Sequence, residues 1–155
     1  MNCYNCKGKN LKKIIKIGKQ PISSIFPSKV INKLRKYSLD LFICSKCQLI
    51  QLPNVPPLEK MYGETYGYRT SLSPLMINHM KKKYIQLQKF LKKNKKYKIL
   101  DIGCNDGTFL NFFSTDNSFQ LFGMDPSAKK YEKYYNENIN LICDFFSKKK
   151  IIQTY

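Results

Sequence analysis

Four of the six cysteines stand in two Cys-x-x-Cys pairs, Cys3 with Cys6 and Cys44 with Cys47. Two intervening residues let both sulfurs of one turn reach a single ion at about 2.3 Å, and two such turns can complete a tetrahedron. Because cysteine fills every ligand position, the pattern predicts a closed structural zinc site rather than a catalytic one. A redox pair and an iron–sulfur cluster are the alternatives. A redox Cys-x-x-Cys normally opens a helix after a strand, which neither pair does, and this favours zinc.

The second candidate site is a glycine loop that runs from Asp101 to Gly107 and reads Asp-x-Gly-x-Asn-x-Gly. Gly103 and Gly107 permit a tight turn and a close approach of backbone to ligand, and Asn105 tolerates a left-handed backbone. A helix that starts after such a loop offers free N–H groups to an anion such as a carboxylate. Asp125 closes the next strand, where a carboxylate can accept hydrogen bonds from two ribose hydroxyls.

Two nucleotide cofactors compete for this loop. A dinucleotide fingerprint would place glycine at positions 103, 105 and 108, where the chain has Gly103, Asn105 and Thr108. The loop instead looks like the first motif of class I methyltransferases, which use S-adenosylmethionine (SAM). The resemblance, together with Asp125 at the following strand end, favours SAM over a nicotinamide dinucleotide.

The elements that position these residues fall into three predicted regions. Residues 1–57 form a zinc-binding module that ends in a proline-rich stretch, 52–57. Residues 58–95 hold a tyrosine-rich segment, 62–71, and a linker helix. Residues 96–155 alternate between apolar strands and helices, which is typical of a parallel sheet built from βαβ units. We therefore expect an α/β chain with a four-cysteine module, a linker helix and the first, incomplete half of a Rossmann-like class I methyltransferase fold.

Local patterns predict the individual elements. Ser73 followed by Pro74 signals a helix start. Apolar side chains then recur at three- and four-residue spacing at Met76, Met80, Tyr84, Leu87 and Leu91. Strands are predicted over 98–102, 119–124 and 139–142, and a helix over 108–113. Ser127 is predicted to cap a further helix, and the first strand of the three is expected to be an exposed edge.

The formal net charge of +18 invites a nucleic-acid interpretation. Of the 28 basic residues, however, two are arginine, Arg35 and Arg69, and guanidinium is the preferred group for phosphate and base recognition. The scattered lysines favour a solvated surface, which would also attract a substrate with a diphosphate. A zinc-knuckle nucleic-acid binder or RNA methyltransferase, and a non-catalytic interaction fragment, stay open as alternatives. The absence of a signal peptide and of an apolar stretch of about 20 residues predicts a cytoplasmic protein without membrane contact.

Taken in order along the chain, these motifs resemble a bacterial family of SAM-dependent C-methyltransferases, including those that act on nucleotide-linked deoxysugars. The resemblance is carried by the two cysteine pairs and by residues 18–23, 48–52, 66–71, 101–107, 123–127 and 145–146. It implies that Asp101 and its loop hold the methionine part of SAM, that Asp125 holds the ribose, and that Phe145 lies near the adenine. Tyr66 and Tyr68 become candidates for the substrate side.

The resemblance also implies a reaction, in which a substrate carbanion attacks the methyl group of SAM while zinc holds the first module in shape. Relatives continue well past residue 155, and their general base lies in that later part. We therefore expect an N-terminal fragment that is inactive alone, with a separate chain as a candidate source of the missing half. Cys104 and Cys143 are expected to be buried strand-end thiols rather than nucleophiles, and His79 a surface or packing residue.

Overall fold

The computed structural model describes residues 1–22, 29–30, 34–63 and 66–154. Three residues of the sequence motifs, Ser23, Glu64 and Thr65, lie outside these ranges. The chain divides into two compact units, Met1–Tyr66 and Gly67–Tyr155.

The first unit is built from short strands. Its elements are β1 (Leu11–Ile15), β2 (Lys19–Pro21), β3 (Lys36–Ser38), β4 (Leu41–Cys44), β5 (Ile50–Gln51) and α1 (Leu58–Tyr62). An antiparallel sheet has the order β1-β4-β5, and β2 pairs with β3 as a separate antiparallel ribbon. Among the described residues of this unit, the fully buried apolar side chains are those of Cys3 and Cys44. So small a core needs a further source of folding energy, which a bound metal ion can supply.

Asp40 closes the corner between β1 and β2. Its Oδ1 accepts hydrogen bonds from the backbone N–H groups of Ile17 at 3.1 Å and Gly18 at 2.9 Å. Its Oδ2 lies 2.8 Å from Lys13 Nζ, and this contact, with the bond from Gly18, holds the pKa of Asp40 below its usual range. Gly18 has φ +94°, a left-handed conformation that favours glycine. A single carboxylate thus holds the turn that follows β1.

The second unit is a mixed α/β structure. In chain order it contains a 3-10 helix (Thr70–Leu72), α2 (Pro74–Gln88), β6 (Tyr97–Ile102), α3 (Thr108–Asn111), β7 (Phe119–Met124), a second 3-10 helix (Ala128–Tyr134), β8 (Ile139–Ile142) and α4 (Lys148–Thr154). The three strands form a parallel sheet in the order β6-β7-β8. Because the strands are parallel, their carboxyl ends meet at one edge of the sheet, where the glycine loop, Asp125 and the segment after β8 all follow.

Phe113 is the centre of the core of this unit. Its ring meets those of Tyr84 at 4.8 Å, Phe109 at 5.4 Å and Phe119 at 5.2 Å between centroids, each edge to face. Edge-to-face pairs of this kind add to the energy of apolar burial. Through Tyr84, α2 packs on the segment that follows α3, and through Phe119 the same segment packs on the sheet.

The predicted helix start is confirmed, since α2 begins at Pro74 and Ser73 Oγ accepts the Met76 N–H at 3.3 Å. The predicted stripe is wrong at its end, because the helix stops at Gln88, so Leu91 lies outside it, and Leu87 is 43% exposed.

Two other helix predictions also need correction. The helix that begins at Thr108 ends at Asn111, short of position 113. The element after Ser127 is a 3-10 helix without a side-chain cap. The Ser127 hydroxyl donates to Asp125 instead, which turns it away from the helix N–H groups.

The strand predictions hold more closely. The second and third strands have the predicted bounds, and β6 begins one residue earlier than predicted, at Tyr97. In the part of the chain that the structure describes, β6 pairs with β7 alone, so it forms an edge of the sheet. Leu100 and Ile102 on this strand are 37% and 54% exposed.

No helix within the described ranges combines the length and the apolar character that a membrane span requires.

Candidate functional site

The two cysteine pairs meet in the first unit. The sulfurs of Cys3, Cys6, Cys44 and Cys47 all lie within 4.8 Å of one another, and none of the four cysteines forms a disulfide. The contact between Cys3 and Cys47 measures 3.5 Å and that between Cys6 and Cys44 measures 3.6 Å. A tetrahedron with zinc–sulfur bonds of about 2.3 Å places its sulfurs about 3.8 Å apart. The cluster is therefore compatible with a structural zinc ion.

Both pairs have the same backbone geometry. In the first turn the Cys3 N–H donates to the Gly8 carbonyl, and the Lys7 N–H donates to the Cys3 carbonyl. In the second turn the Cys44 N–H donates to the Leu49 carbonyl, and the Gln48 N–H donates to the Cys44 carbonyl. These bonds measure 2.8 and 3.0 Å in the first turn and 3.0 and 2.9 Å in the second. Lys7 and Gln48 occupy the equivalent fourth position with φ +59° and +61°. Two turns of the same geometry thus bring their four sulfurs together in one cluster.

Backbone N–H groups prepare the second pair for metal binding. The N–H of Leu49 is the main cause that lowers the pKa of Cys47 to about 6. The N–H groups of Cys47 and Lys46 lower the pKa of Cys44. A zinc ligand must be a thiolate, and N–H donors to sulfur favour that form before the ion arrives.

Gln51 connects the first turn to the sheet, a role that the sequence did not reveal. Its side chain is buried, its Oε1 accepts the N–H of Tyr4 at 2.9 Å, and its Nε2 donates to the carbonyl of Asn2 at 3.3 Å. Asn2 and Tyr4 flank Cys3, so this amide fixes the chain on both sides of one metal ligand. Gln51 therefore belongs to the support of the metal centre.

In the second unit, the two loop glycines face different surroundings. Gly103 has φ +81°, its N–H donates to the Met124 carbonyl at 2.8 Å, and a Cβ built on it meets nothing within 4 Å. Gly107 has φ +76°, and a Cβ there would lie 2.7 Å from the ring of Tyr135. Gly103 thus borders open space that a ligand could enter. At Gly107, packing within the protein requires glycine.

Tyr135 supports the loop from the protein side. Its hydroxyl donates to the Asn105 carbonyl at 2.7 Å and lies 3.2 Å from Cys104 Sγ. Burial raises the pKa of Tyr135 well above its usual range, so the phenol stays a neutral donor. Burial also raises the pKa of Cys104 to about 12, which keeps this thiol protonated and unreactive. The prediction of a buried thiol holds for Cys104 and is wrong for Cys143, which follows the end of β8 and is exposed.

Asp125 is buried and already holds the loop. Its Oδ2 accepts the Asn105 N–H at 2.9 Å, and its Oδ1 accepts the N–H and the hydroxyl of Ser127 at 2.7 and 2.6 Å. A carboxylate has about four acceptor positions. The described residues use three of these positions, which leaves one for an outside donor.

Asp101 lies at the carboxyl end of β6, paired in register with Gly123. Burial, and then the charge of Asp125, raise the pKa of Asp101 to about 6. Neither cause is a hydrogen bond, and among the described residues no donor reaches this carboxyl. Two carboxyls that repel each other beside open space form a position at which a cation would be stabilised.

A segment well upstream packs onto the same loop. The N–H and hydroxyl of Thr70 donate to Asn105 Oδ1 at 2.9 and 3.2 Å, and Asn105 Nδ2 donates to the Tyr68 carbonyl at 3.1 Å. The Ser71 N–H donates to Asp106 Oδ2 at 2.9 Å. Asn105 has φ +50° and is buried, so its side chain acts as the link between segment 68–71 and the loop. Sequence spacing gave no signal for this contact.

The remaining candidate residues are Tyr66, Tyr68 and Phe145. Tyr66 belongs to the first unit, where it lines a cavity of about 550 Å³ together with Tyr37 and Tyr62. Tyr68 belongs to the second unit, and its side chain is 44% exposed. Phe145 is half-buried and comes three residues after β8, at the sheet edge where the glycine loop also lies.

Residues 3–62 match the Methyltransf_13 family model, which describes a zinc-binding domain. The match includes all four clustered cysteines and ends before the glycine loop. The first unit is therefore similar to a zinc-binding domain whose family model is named for methyltransferases. No curated protein matches the chain.

Proposed function

We propose that the chain is a class I SAM-dependent methyltransferase, in which the second unit binds SAM at the glycine loop and zinc stabilises the first unit. The three parallel strands, with the loop after the first and Asp125 after the second, support a Rossmann-like arrangement. The observation that carries the proposal is the carboxyl end of the parallel sheet, where Asp101 lies in β6, Gly103 has room beside its Cα, and Asp125 accepts the N–H of the loop residue Asn105.

The chemistry of SAM suits these residues. SAM carries two positive groups, the α-ammonium and the sulfonium, together with a carboxylate and two ribose hydroxyls. Asp101 would pair with the ammonium, since it has no protein donor among the described residues and an unfavourable neighbour in Asp125. The remaining acceptor position of Asp125 would take one ribose hydroxyl. At Gly103 the missing side chain leaves room for the ligand to approach the backbone.

When bound, SAM supplies an electrophilic methyl group, attached to a positively charged sulfonium sulfur that leaves as a neutral thioether. The contribution of the chain is to orient that group and to keep the loop rigid. Tyr135, Asn105 and Thr70 hold the loop through hydrogen bonds from both sides. The carboxylates of Asp101 and Asp125 would attract the positively charged groups of the ligand.

For the methyl acceptor, we propose a carbon atom of a nucleotide-linked sugar, as the resemblance implies. Tyr66 and Tyr68 are the substrate-side candidates that this resemblance implies. The net charge of +18 supports a substrate that carries a diphosphate.

Calorimetry on the zinc-loaded full chain tests the proposal. We expect SAM to bind with a stoichiometry of one, NAD not to bind under the same conditions, and the Asp101→Asn variant to bind SAM at least about tenfold more weakly. Asp116→Asn, a change at an exposed carboxylate bonded to Ser118, is the control and should leave binding unchanged. A zinc-loaded, folded chain that fails to bind SAM would refute the proposal. Salt-sensitive binding of RNA in its place would favour the nucleic-acid alternative.

A further inference from the structure

Arg69 has an unusual environment in segment 68–71. Its side chain is 23% exposed, and its Nε is buried and has no hydrogen-bond partner anywhere in the described ranges. The nearest acidic group is Asp106, whose Oδ2 lies 3.8 Å from Arg69 Nε, too far for a hydrogen bond. An N–H that gives up water without gaining an acceptor costs free energy, so the position of this Nε requires another explanation.

Asp106 does not supply that acceptor, because its carboxylate is already used. It accepts hydrogen bonds from the Ser71 N–H at 2.9 Å and from the N–H and hydroxyl of Thr108 at 3.2 and 2.6 Å. Burial acts to raise the pKa of Asp106, but these bonds outweigh it and the pKa lies below its usual range. Asp106 therefore balances the charge of Arg69 while it leaves the guanidinium donors available.

The guanidinium of Arg69 lies against the ring of Tyr134. Arg69 Cζ lies 4.3 Å from the centroid of that ring, a cation–π contact. A cation–π contact uses none of the N–H donors of the guanidinium, so its terminal nitrogens remain for an acceptor with the shape of a carboxylate. Arg69 is one of two arginines in the chain and is tied to the glycine loop through its neighbours Thr70 and Ser71.

We propose that Arg69 binds the carboxylate of the methionine part of SAM. This inference rests on the proposed function and deepens it. The methionine part is a zwitterion, so its site needs one negative and one positive partner. Asp101 supplies the negative partner for the ammonium, and Arg69 supplies a fork of donors that matches a carboxylate. Segment 68–71 then belongs to the cofactor site, and its bonds to Asn105 and Asp106 hold Arg69 beside the glycine loop.

The experiment compares SAM with decarboxylated SAM, which lacks the carboxylate and keeps the ammonium, the sulfonium and the adenosine. Calorimetry is performed on the zinc-loaded full chain, on Arg69→Gln and on Arg35→Gln, the matched control at the other arginine. We expect Arg69→Gln to weaken SAM binding about tenfold or more and to leave decarboxylated SAM equally or more tightly bound, since the substitution removes a positive charge. Arg35→Gln should change neither affinity.

Equal weakening of both ligands in Arg69→Gln, or no change in either, would overturn the inference while SAM binding itself stands. If the wild-type chain binds neither ligand, the proposed function fails and the inference fails with it. Circular dichroism verifies that the variant is folded. If Arg69→Gln does not fold, Arg69→Lys replaces it, because lysine keeps the positive charge and lacks the two parallel N–H donors. Arg69→Lys should lower the affinity for SAM and leave that for decarboxylated SAM unchanged. Equal weakening of both ligands would again overturn the inference.

Discussion

Replacing Asp101 with asparagine should stabilise the second unit in the absence of ligand. Burial and the charge of Asp125 give Asp101 a pKa of about 6 instead of its ordinary 3.8. The difference of about two pKa units corresponds to about 3 kcal/mol by which the ionised carboxylate disfavours folding at neutral pH. Because Asp101 is partly accessible, water screens part of this penalty, and we expect a gain of about 1–3 kcal/mol in the free energy of unfolding.

The effect of Asp101→Asn on the free energy of unfolding should depend on pH. The folded chain holds the proton of Asp101 more tightly than the unfolded chain, so stability falls as pH rises from about 4 to about 6, and the full penalty is present above pH 6. The stabilising effect of Asp101→Asn should therefore be largest at pH 7–8, smaller at pH 5 and absent below pH 4. Asparagine has no such titration and keeps the shape of the side chain.

Urea denaturation followed by circular dichroism between pH 5 and 8, with zinc present throughout, measures this difference. Asp116→Asn is the matched control, because the Ser118 N–H lowers the pKa of Asp116 and its substitution should destabilise the chain at pH 7. Destabilisation by Asp101→Asn at pH 7, or an effect that does not vary with pH, would show that the carboxylate has a stabilising partner and would refute the reasoning.

Three further predictions concern the same two sites. Gly107→Ala should lower the free energy of unfolding by about 2–4 kcal/mol, because its Cβ would meet the Tyr135 ring at 2.7 Å and its φ is positive. Gly103→Ala should lower it by about 1–2 kcal/mol and weaken SAM binding. Urea denaturation measures the stability and calorimetry the affinity, and equal losses of stability in the two variants would contradict the geometry. Cys44→Ser should abolish stoichiometric zinc binding in metal analysis, while Cys143→Ser should retain the metal. SAM affinity should fall as pH drops through about 6, since a protonated Asp101 cannot pair with the ammonium; a flat calorimetric profile from pH 5 to 8 would count against that pairing.

Local patterns were sufficient for the features that depend on neighbouring residues. The spacing of the cysteine pairs predicted a four-sulfur cluster, which the structure contains, and the apolar runs predicted three strands that form a parallel sheet. Ser73 and Pro74 located the start of α2 because capping depends on residues a few positions apart. The roles of Asp101, Asp125, Phe145, Tyr66 and Tyr68 in ligand binding stay predictions.

Features that depend on distant parts of the chain could not be predicted in this way. Thr70 bonds Asn105 from 35 positions away, and Tyr135 bonds it from 30 positions away. No periodicity or motif spacing encodes such contacts, so Arg69 and Asp106 were not assigned roles. Ser127 illustrates competition, because its hydroxyl can cap a helix or bond Asp125, and tertiary structure decided for Asp125.

The contact between Cys6 and Cys44 has a consequence for how the first unit tolerates change. These residues are 38 positions apart, so a shared metal ion closes a long loop. By analogy with a covalent cross-link, closing such a loop lowers the entropy of the unfolded chain and thereby stabilises the folded chain by about 4 kcal/mol. This benefit varies with the logarithm of loop length, and doubling the loop changes it by only about 0.6 kcal/mol. Exposed turns between the two cysteine pairs can therefore accept insertions at little cost, provided that both metal-binding turns remain intact.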